Sequence, residues 1–223
     1  MLAPGKGLLA ADESIGTADK RLASYGIGTG QGARKAYREL FLEAAGIEAY
    51  LSGVILFTET FIEEGSKVKL FPDELIALGI QPGIKVDEGT EPFPESPKEL
   101  ITNGLLGLPE RLAELKKRGA TFTKWRAVVT IDGDTLPSAQ ALHENMKRLA
   151  TYAREAQEAE LVPLLEPEVL LTGNHSRSRA KEVIGQTLNT LFSVLEEQSV
   201  DKSGIIIKTS MALSGSASGK MDT

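Results

Sequence analysis

Along the chain, short apolar runs alternate with longer stretches whose apolar residues recur at helical spacing. The runs are 7–12 (GLLAAD), 52–57 (SGVILF), 83–87 (GIKVD), 122–129 (FTKWRAVV), 161–166 (LVPLLE) and 204–208 (GIIIK). Between them, 32–45 predicts a helix with Ala36, Leu40 and Ala44 on its apolar face. The stretch 109–118 opens on proline and closes before Gly119, the usual punctuation of a helix. Segments 138–158 and 179–198 are long and amphipathic. Strands separated by helices predict an α/β domain with a parallel sheet, and apolar residues on both sides of the pleat fit strands covered by helices on both faces.

Charge at the strand ends separates the two parallel architectures. Asp12, Lys85, Asp87, Lys124, Arg126, Glu166 and Lys208 all fall within or just past the C-terminal halves of apolar runs. Isolated charges there are costly to bury, so they must pair or meet a ligand. A ring of charge at strand ends is how a closed barrel builds a site, whereas an open doubly wound sheet gathers its chemistry at one switch point. The chain carries neither a GxGxxG dinucleotide loop nor a phosphate-binding P-loop. A (β/α)8 TIM barrel is therefore expected, with about six βα units present instead of eight.

Composition narrows the class further. The 223 residues are enough for one domain with a substantial core, and 41% hydrophobic with 25% charged residues is ordinary for a globular protein. No apolar run is long enough to cross a bilayer, and the first ten residues lack a signal-peptide pattern. There is no cysteine, so no disulfide, thiolate metal site or cysteine nucleophile. The net charge of -6 argues against nucleic acid and leaves room for a small anion gripped by a few local cations. Two histidines, His143 and His175, are too few for an ordinary zinc site. No membrane partner, metal or cofactor is expected, and the cytosol is compatible with this composition.

Lys208 ends its apolar run as a flexible amine at the sheet edge. A lysine becomes nucleophilic when desolvation or a nearby cation favours its neutral form, and Lys124 is a candidate for that cation. A snorkelling strand-end lysine is the plainer alternative. Glu166 is a candidate acid/base for imine formation, or an ion-pair partner of Lys124, with Glu168 a possible second member. Asp12, Ser14 and Thr17 offer oxygens before a helix start, where N-capping competes with substrate contact. Lys20 and Arg21 are either a solvated face or a phosphate grip. Lys124 and Arg126 share one side of their strand and Trp125 takes the other, packing against outer helices. His143 lies on a helix, and His175 lies in a loop.

Six ordered blocks, LLAADES, GVILF-x-ET, GIKVD-x-G, KWR, VP-x-x-EPE and IIIK, together resemble class I fructose-bisphosphate aldolase. APGKG and GLPERLAELKKRGATFTKWRAV are similar to the same family, so the likeness runs over essentially the whole chain. It implies a (β/α)8 barrel that reversibly cleaves fructose 1,6-bisphosphate to dihydroxyacetone phosphate and glyceraldehyde 3-phosphate in glycolysis and gluconeogenesis, without metal or cofactor. By the same resemblance Lys208 forms the imine and Glu166 serves as its acid/base. Asp12 handles the hydroxyl whose deprotonation breaks the carbon–carbon bond, and Lys124 tunes the centre. Lys85, Arg126, Ser14, Thr17 and Arg21 line the sugar-phosphate region. Relatives are often tetramers, which implies a homo-oligomer for the complete protein.

There are departures. Ile15 stands where relatives usually carry threonine, the stretch PFPESPKELITNGLLGL (92–108) replaces a Gly/Thr-rich one, and TGNHS (172–176) replaces DGDHD. Family members continue well past the imine lysine, so the resemblance implies a single partial barrel domain over 1–223, lacking the last two βα units and impaired in turnover. Another imine-forming sugar-phosphate lyase, or an inert fragment serving as a binding module, are the competing readings.

Overall fold

A computed structural model describes residues 1–62, 65 and 70–220. The chain divides into two compact units, one of Met1–Val86 with Glu114–Thr123 and one of Asp87–Ala113 with Lys124–Thr223.

In the first unit, β1 (Gly7–Ala11), β2 (Leu51–Leu56) and β3 (Gln81–Lys85) pair in parallel, with Ala11 opposite Leu56 and Leu56 opposite Ile84. Five of the six β2 residues are buried, as the continuous apolar run predicts for a strand covered on both faces. The helices are α1 (Ile15–Ser24), α2 (Gln31–Leu42), α3 (Thr58–Phe61) and α4 (Phe71–Ala77). Pro72 sits in the first turn of α4, where its missing N–H costs nothing. A Cβ at Gly83 would stand 2.2 Å from the Phe122 ring, so the glycine in GIKVD leaves space for that ring.

One expected helical face is corrected. Ala36, Leu40 and Ala44 are all exposed, and α2 buries Arg38 and Leu42 instead. The reason is electrostatic: Arg38 turns inward to pair with the carboxylate and carbonyl of Glu13.

In the second unit, β4 (Thr90–Phe93) and β5 (Ser96–Thr102) form an antiparallel hairpin that periodicity did not predict. Its three prolines and interleaved glutamates hide the alternation that marks a strand. The hairpin packs Phe93 and Ile101 against Ala141 of α6 (Ala139–Glu158). Helix α6 starts at Ser138, whose side chain accepts from Ala141 N and whose own N–H donates to Glu99. Helix α5 (Leu108–Lys117) follows the hairpin, and α7 (Arg177–Glu197) is capped by Ser176.

The remaining strands are β6 (Phe122–Val129), β7 (Val162–Val169) and β8 (Ile206–Ile207). β7 runs parallel to β8, and β6, β7 and β8 lie in chain order. So do β1, β2 and β3. Neither run reverses direction as a doubly wound sheet does at its switch point. Trp125 is fully buried and stacks on Tyr152 of α6 at 5.4 Å, the outer packing predicted for it.

Candidate active site

The site begins with alternation on two neighbouring strands. Lys124 and Arg126 are two apart on β6, and Glu166 and Glu168 are two apart on β7, so each pair leaves one side of its strand. β7 extends three residues beyond the expected 161–166 run, which carries Glu168 within the strand. The result is two consecutive cross-strand pairs. Lys124 Nζ lies 2.5 Å from Glu166 Oε2, and the Arg126 guanidinium holds Glu168 Oε2.

β8 adds a third cation. It is shorter than the expected 204–208 run, because Lys202–Gly204 forms a 3-10 turn, and Lys208 stands just past its end. The Lys208 N–H donates to Leu165 O at 2.9 Å, extending the ladder by one bond and placing the side chain beside Glu166. Its Nζ donates to Glu166 Oε1. One carboxylate thus receives two amines from different strands.

Burial separates the two amines. The side chains of Lys124 and Glu166 are 5% and 8% exposed, so their ion pair is shielded from water. The Lys208 side chain is 42% exposed and open to a ligand from solvent. Glu166 therefore has a buried cation behind it and an accessible amine in front.

The other predicted residues lie in the first unit. Asp12 immediately follows β1, and Lys85 ends β3. Ser14 caps α1 by accepting from Thr17 N at 3.4 Å, and the Ser14 and Thr17 hydroxyls are 3.0 Å apart. Arg21 pairs with Glu13 at 2.7 Å and reaches Tyr37 Oη at 2.9 Å. Burial pushes the Glu13 carboxyl up, but the charge and hydrogen bond of Arg38, with help from Tyr37, outweigh it and hold the group below the usual carboxylate range. Glu13 escaped the sequence reading because nothing local distinguishes it from a first-turn surface glutamate.

His143 is exposed on α6, and His175 is buried in the loop before α7, where its carbonyl accepts Gly215 N at 2.8 Å. Among the described residues, no group of three or more His, Asp or Glu is placed to hold a metal ion. No described helix is long and apolar enough to cross a membrane.

The family model for class-I fructose-bisphosphate aldolase matches residues 1–223. The chain belongs to the class I fructose-bisphosphate aldolase family. It is 48% identical over 215 residues to a probable fructose-bisphosphate aldolase class 1 of Xylella fastidiosa (strain Temecula1), covering 96% of this chain and 64% of that relative. It is 42% identical over 216 residues to fructose-bisphosphate aldolase 4, cytosolic, of Arabidopsis thaliana, covering 97% of this chain and 55% of the relative. A solved fructose-bisphosphate aldolase from Plasmodium falciparum, in complex with TRAP and a small-molecule inhibitor, superposes with a TM-score of 0.94 at 37% identity, covering 99% of this chain and 64% of that one. The fold is thus the α/β architecture of a solved aldolase. The chain spans 64% or less of the length of these three proteins.

Proposed function

We propose that this aldolase-family chain carries out its family's reaction, reversible cleavage of fructose 1,6-bisphosphate to dihydroxyacetone phosphate and glyceraldehyde 3-phosphate, through an imine on Lys208. The observation that supports it is the bridging of Lys124 and Lys208 by Glu166. Moving one proton along the Lys208–Glu166 hydrogen bond converts the ion pair into a free amine beside a carboxylic acid. Those are the two partners that imine formation needs.

The Lys208 amine adds to the ketone carbon of the open-chain sugar. One amine proton passes to the new alkoxide to give the carbinolamine, Glu166 then donates its proton to that hydroxyl, which leaves as water, and a protonated imine remains. Asp12, assigned by its place in LLAADES, takes the proton from the hydroxyl on the carbon beyond the breaking bond. The bond electrons pass into the imine, the aldehyde departs, and the resulting enamine is protonated and hydrolysed to release the ketone. Lys124 stays charged throughout and orients Glu166. Arg126, Lys85, Ser14, Thr17 and Arg21 are assigned to the sugar and phosphate groups on the same family likeness. The cytosol is the compartment this reading assigns, on the names of two Arabidopsis relatives; a third relative is named chloroplastic.

Borohydride reduction in the presence of dihydroxyacetone phosphate tests the proposal. A secondary amine mapped to Lys208 by mass spectrometry, and lost in Lys208→Arg with the fold retained, is the expected result. Absence of any adduct would point instead to an inert binding module. An adduct that forms equally well with other ketose phosphates, without preference for fructose bisphosphate in cleavage, would favour a different imine-forming lyase.

A further inference from the structure

Arg126 is held at its backbone as well as its side chain, and both backbone anchors are side chains. Its N–H donates to Asp87 Oδ2 at 3.2 Å, and its carbonyl accepts Thr102 Oγ1 at 2.9 Å. In a strand, the N–H and C=O of one residue leave on the same side, where a neighbouring strand normally satisfies both. At Arg126 that role falls to Asp87, two residues after β3 in the sequence, and to the last residue of β5.

Thr102 is itself immobilised. It is fully buried, its N–H donates to Asn145 Oδ1 at 3.2 Å, and its carbonyl accepts Arg148 at 2.9 Å. Asn145, buried on α6, also donates to Leu100 O at 2.8 Å and Val128 O at 3.3 Å, binding the hairpin and β6 to the same helix. Asp87 is steadied by accepting Gly89 N at 3.3 Å. Every backbone and hydroxyl hydrogen-bonding group of Thr102 is therefore committed to a fixed partner.

We propose that Thr102 and Asp87 are positioning residues that hold the β6 backbone at Arg126, so that its guanidinium stays on Glu168 and meets a sugar phosphate in one orientation. This rests on the assignment of Arg126 to the phosphate region given above. The need arises because the guanidinium is 41% exposed and among the described residues pairs with one carboxylate, so its direction depends on where the backbone presents it. The hairpin, which a family comparison of short motifs passes over, thereby acquires a role in substrate recognition.

Equilibrium binding of fructose 1,6-bisphosphate, measured by calorimetry on the full chain, tests this without requiring an imine. Thr102→Val keeps the buried shape and removes the hydroxyl, and it should weaken binding about threefold to tenfold, the loss of one hydrogen bond's worth of organisation. Thr102→Ser keeps the hydroxyl and should restore binding. In an Arg126→Ala background, Thr102→Val should weaken binding no further, because the group it positions is gone. Asp87→Asn should follow the same pattern. Trp125 fluorescence checks that each variant retains the fold around β6.

Equal loss in Thr102→Val and Thr102→Ser would overturn the proposal, as would the same loss with or without Arg126, or no binding by the unaltered chain. Borohydride trapping with dihydroxyacetone, which carries no phosphate, reports the imine separately. Retained trapping in Thr102→Val alongside weakened bisphosphate binding is expected. Coupling between Thr102 and Arg126 without any trapping would sink the imine assignment and leave the positioning one standing.

Discussion

Lys208 donates its amine to Glu166 Oε1, the oxygen left over after Lys124 has taken Oε2. The two lysines differ in what removing Glu166 would do to them. Lys124 is buried and would lose an ion pair shielded from water, whereas Lys208 could turn to solvent.

That asymmetry predicts an order of stabilities. Glu166→Gln removes the carboxylate that both lysines share, one of them across a buried pair, and should cost up to about 3–5 kcal/mol, the range for breaking a buried pair from one side. Lys124→Met removes the buried cation and leaves Glu166 with Lys208, so it should cost less. Urea unfolding followed through Trp125, the single tryptophan and a buried one, reads both. A larger loss in Lys124→Met would show that Glu166 depends on Lys124 alone.

The Glu13 network predicts an acid response. Its carboxyl is held below the usual range in the folded chain, so the native state binds its proton less readily than the unfolded state does. The resulting stability is present above the unfolded value and is lost as pH falls through the lowered folded value. Glu13→Gln should therefore be less stable at pH 7 and lose less between about pH 5 and pH 3, where carboxylates titrate. Urea midpoints across that range, followed by far-ultraviolet circular dichroism, check it; parallel curves for the two proteins would refute it.

Much of this was legible in the sequence, for a definite physical reason. Short continuous apolar runs ending in charge mark strand ends, so Lys124, Glu166 and Lys208 could be singled out before any coordinates. Glycine punctuation and long amphipathic stretches located α5, α6 and α7 within a residue or two. The hairpin was missed because prolines and glutamates break its alternation. The buried face of α2 was misread because Arg38 is inward only through its partner Glu13, a pairing 25 residues away in sequence that no periodicity encodes. Thr102 carried no signal at all. Its three partners come from two elements distant in sequence, Arg126 of β6 and Asn145 and Arg148 of α6.

Glu155 on α6 reverses the usual carboxylate behaviour. Burial raises its proton affinity, with the Arg154 charge opposing, and one carboxylate oxygen is buried without a hydrogen-bond partner. A carboxyl raised in the folded state contributes stability that is fully present below its unfolded value and is lost as pH rises through the folded one. Glu155→Met, an apolar helix former of similar reach, should raise the urea midpoint at pH 7 and bring little gain at pH 4. An equal gain at both values would assign the effect to helix propensity alone.

The close approach of Gly83 to Phe122 gives the last prediction, and it can be made self-checking. Gly83→Ala places a methyl 2.2 Å from Cζ of a fully buried ring, with Cε1 and Cε2 within 2.4 Å, closer than any real contact allows. Overpacking of this kind costs about 1–3 kcal/mol. Phe122→Leu alone should also destabilise, because it removes buried ring surface and leaves a gap. Combined, the added methyl has somewhere to go, so the double variant should be more stable than the sum of the two losses. Thermal unfolding by circular dichroism measures all three. Additive losses would mean that the glycine is required for some reason other than the ring.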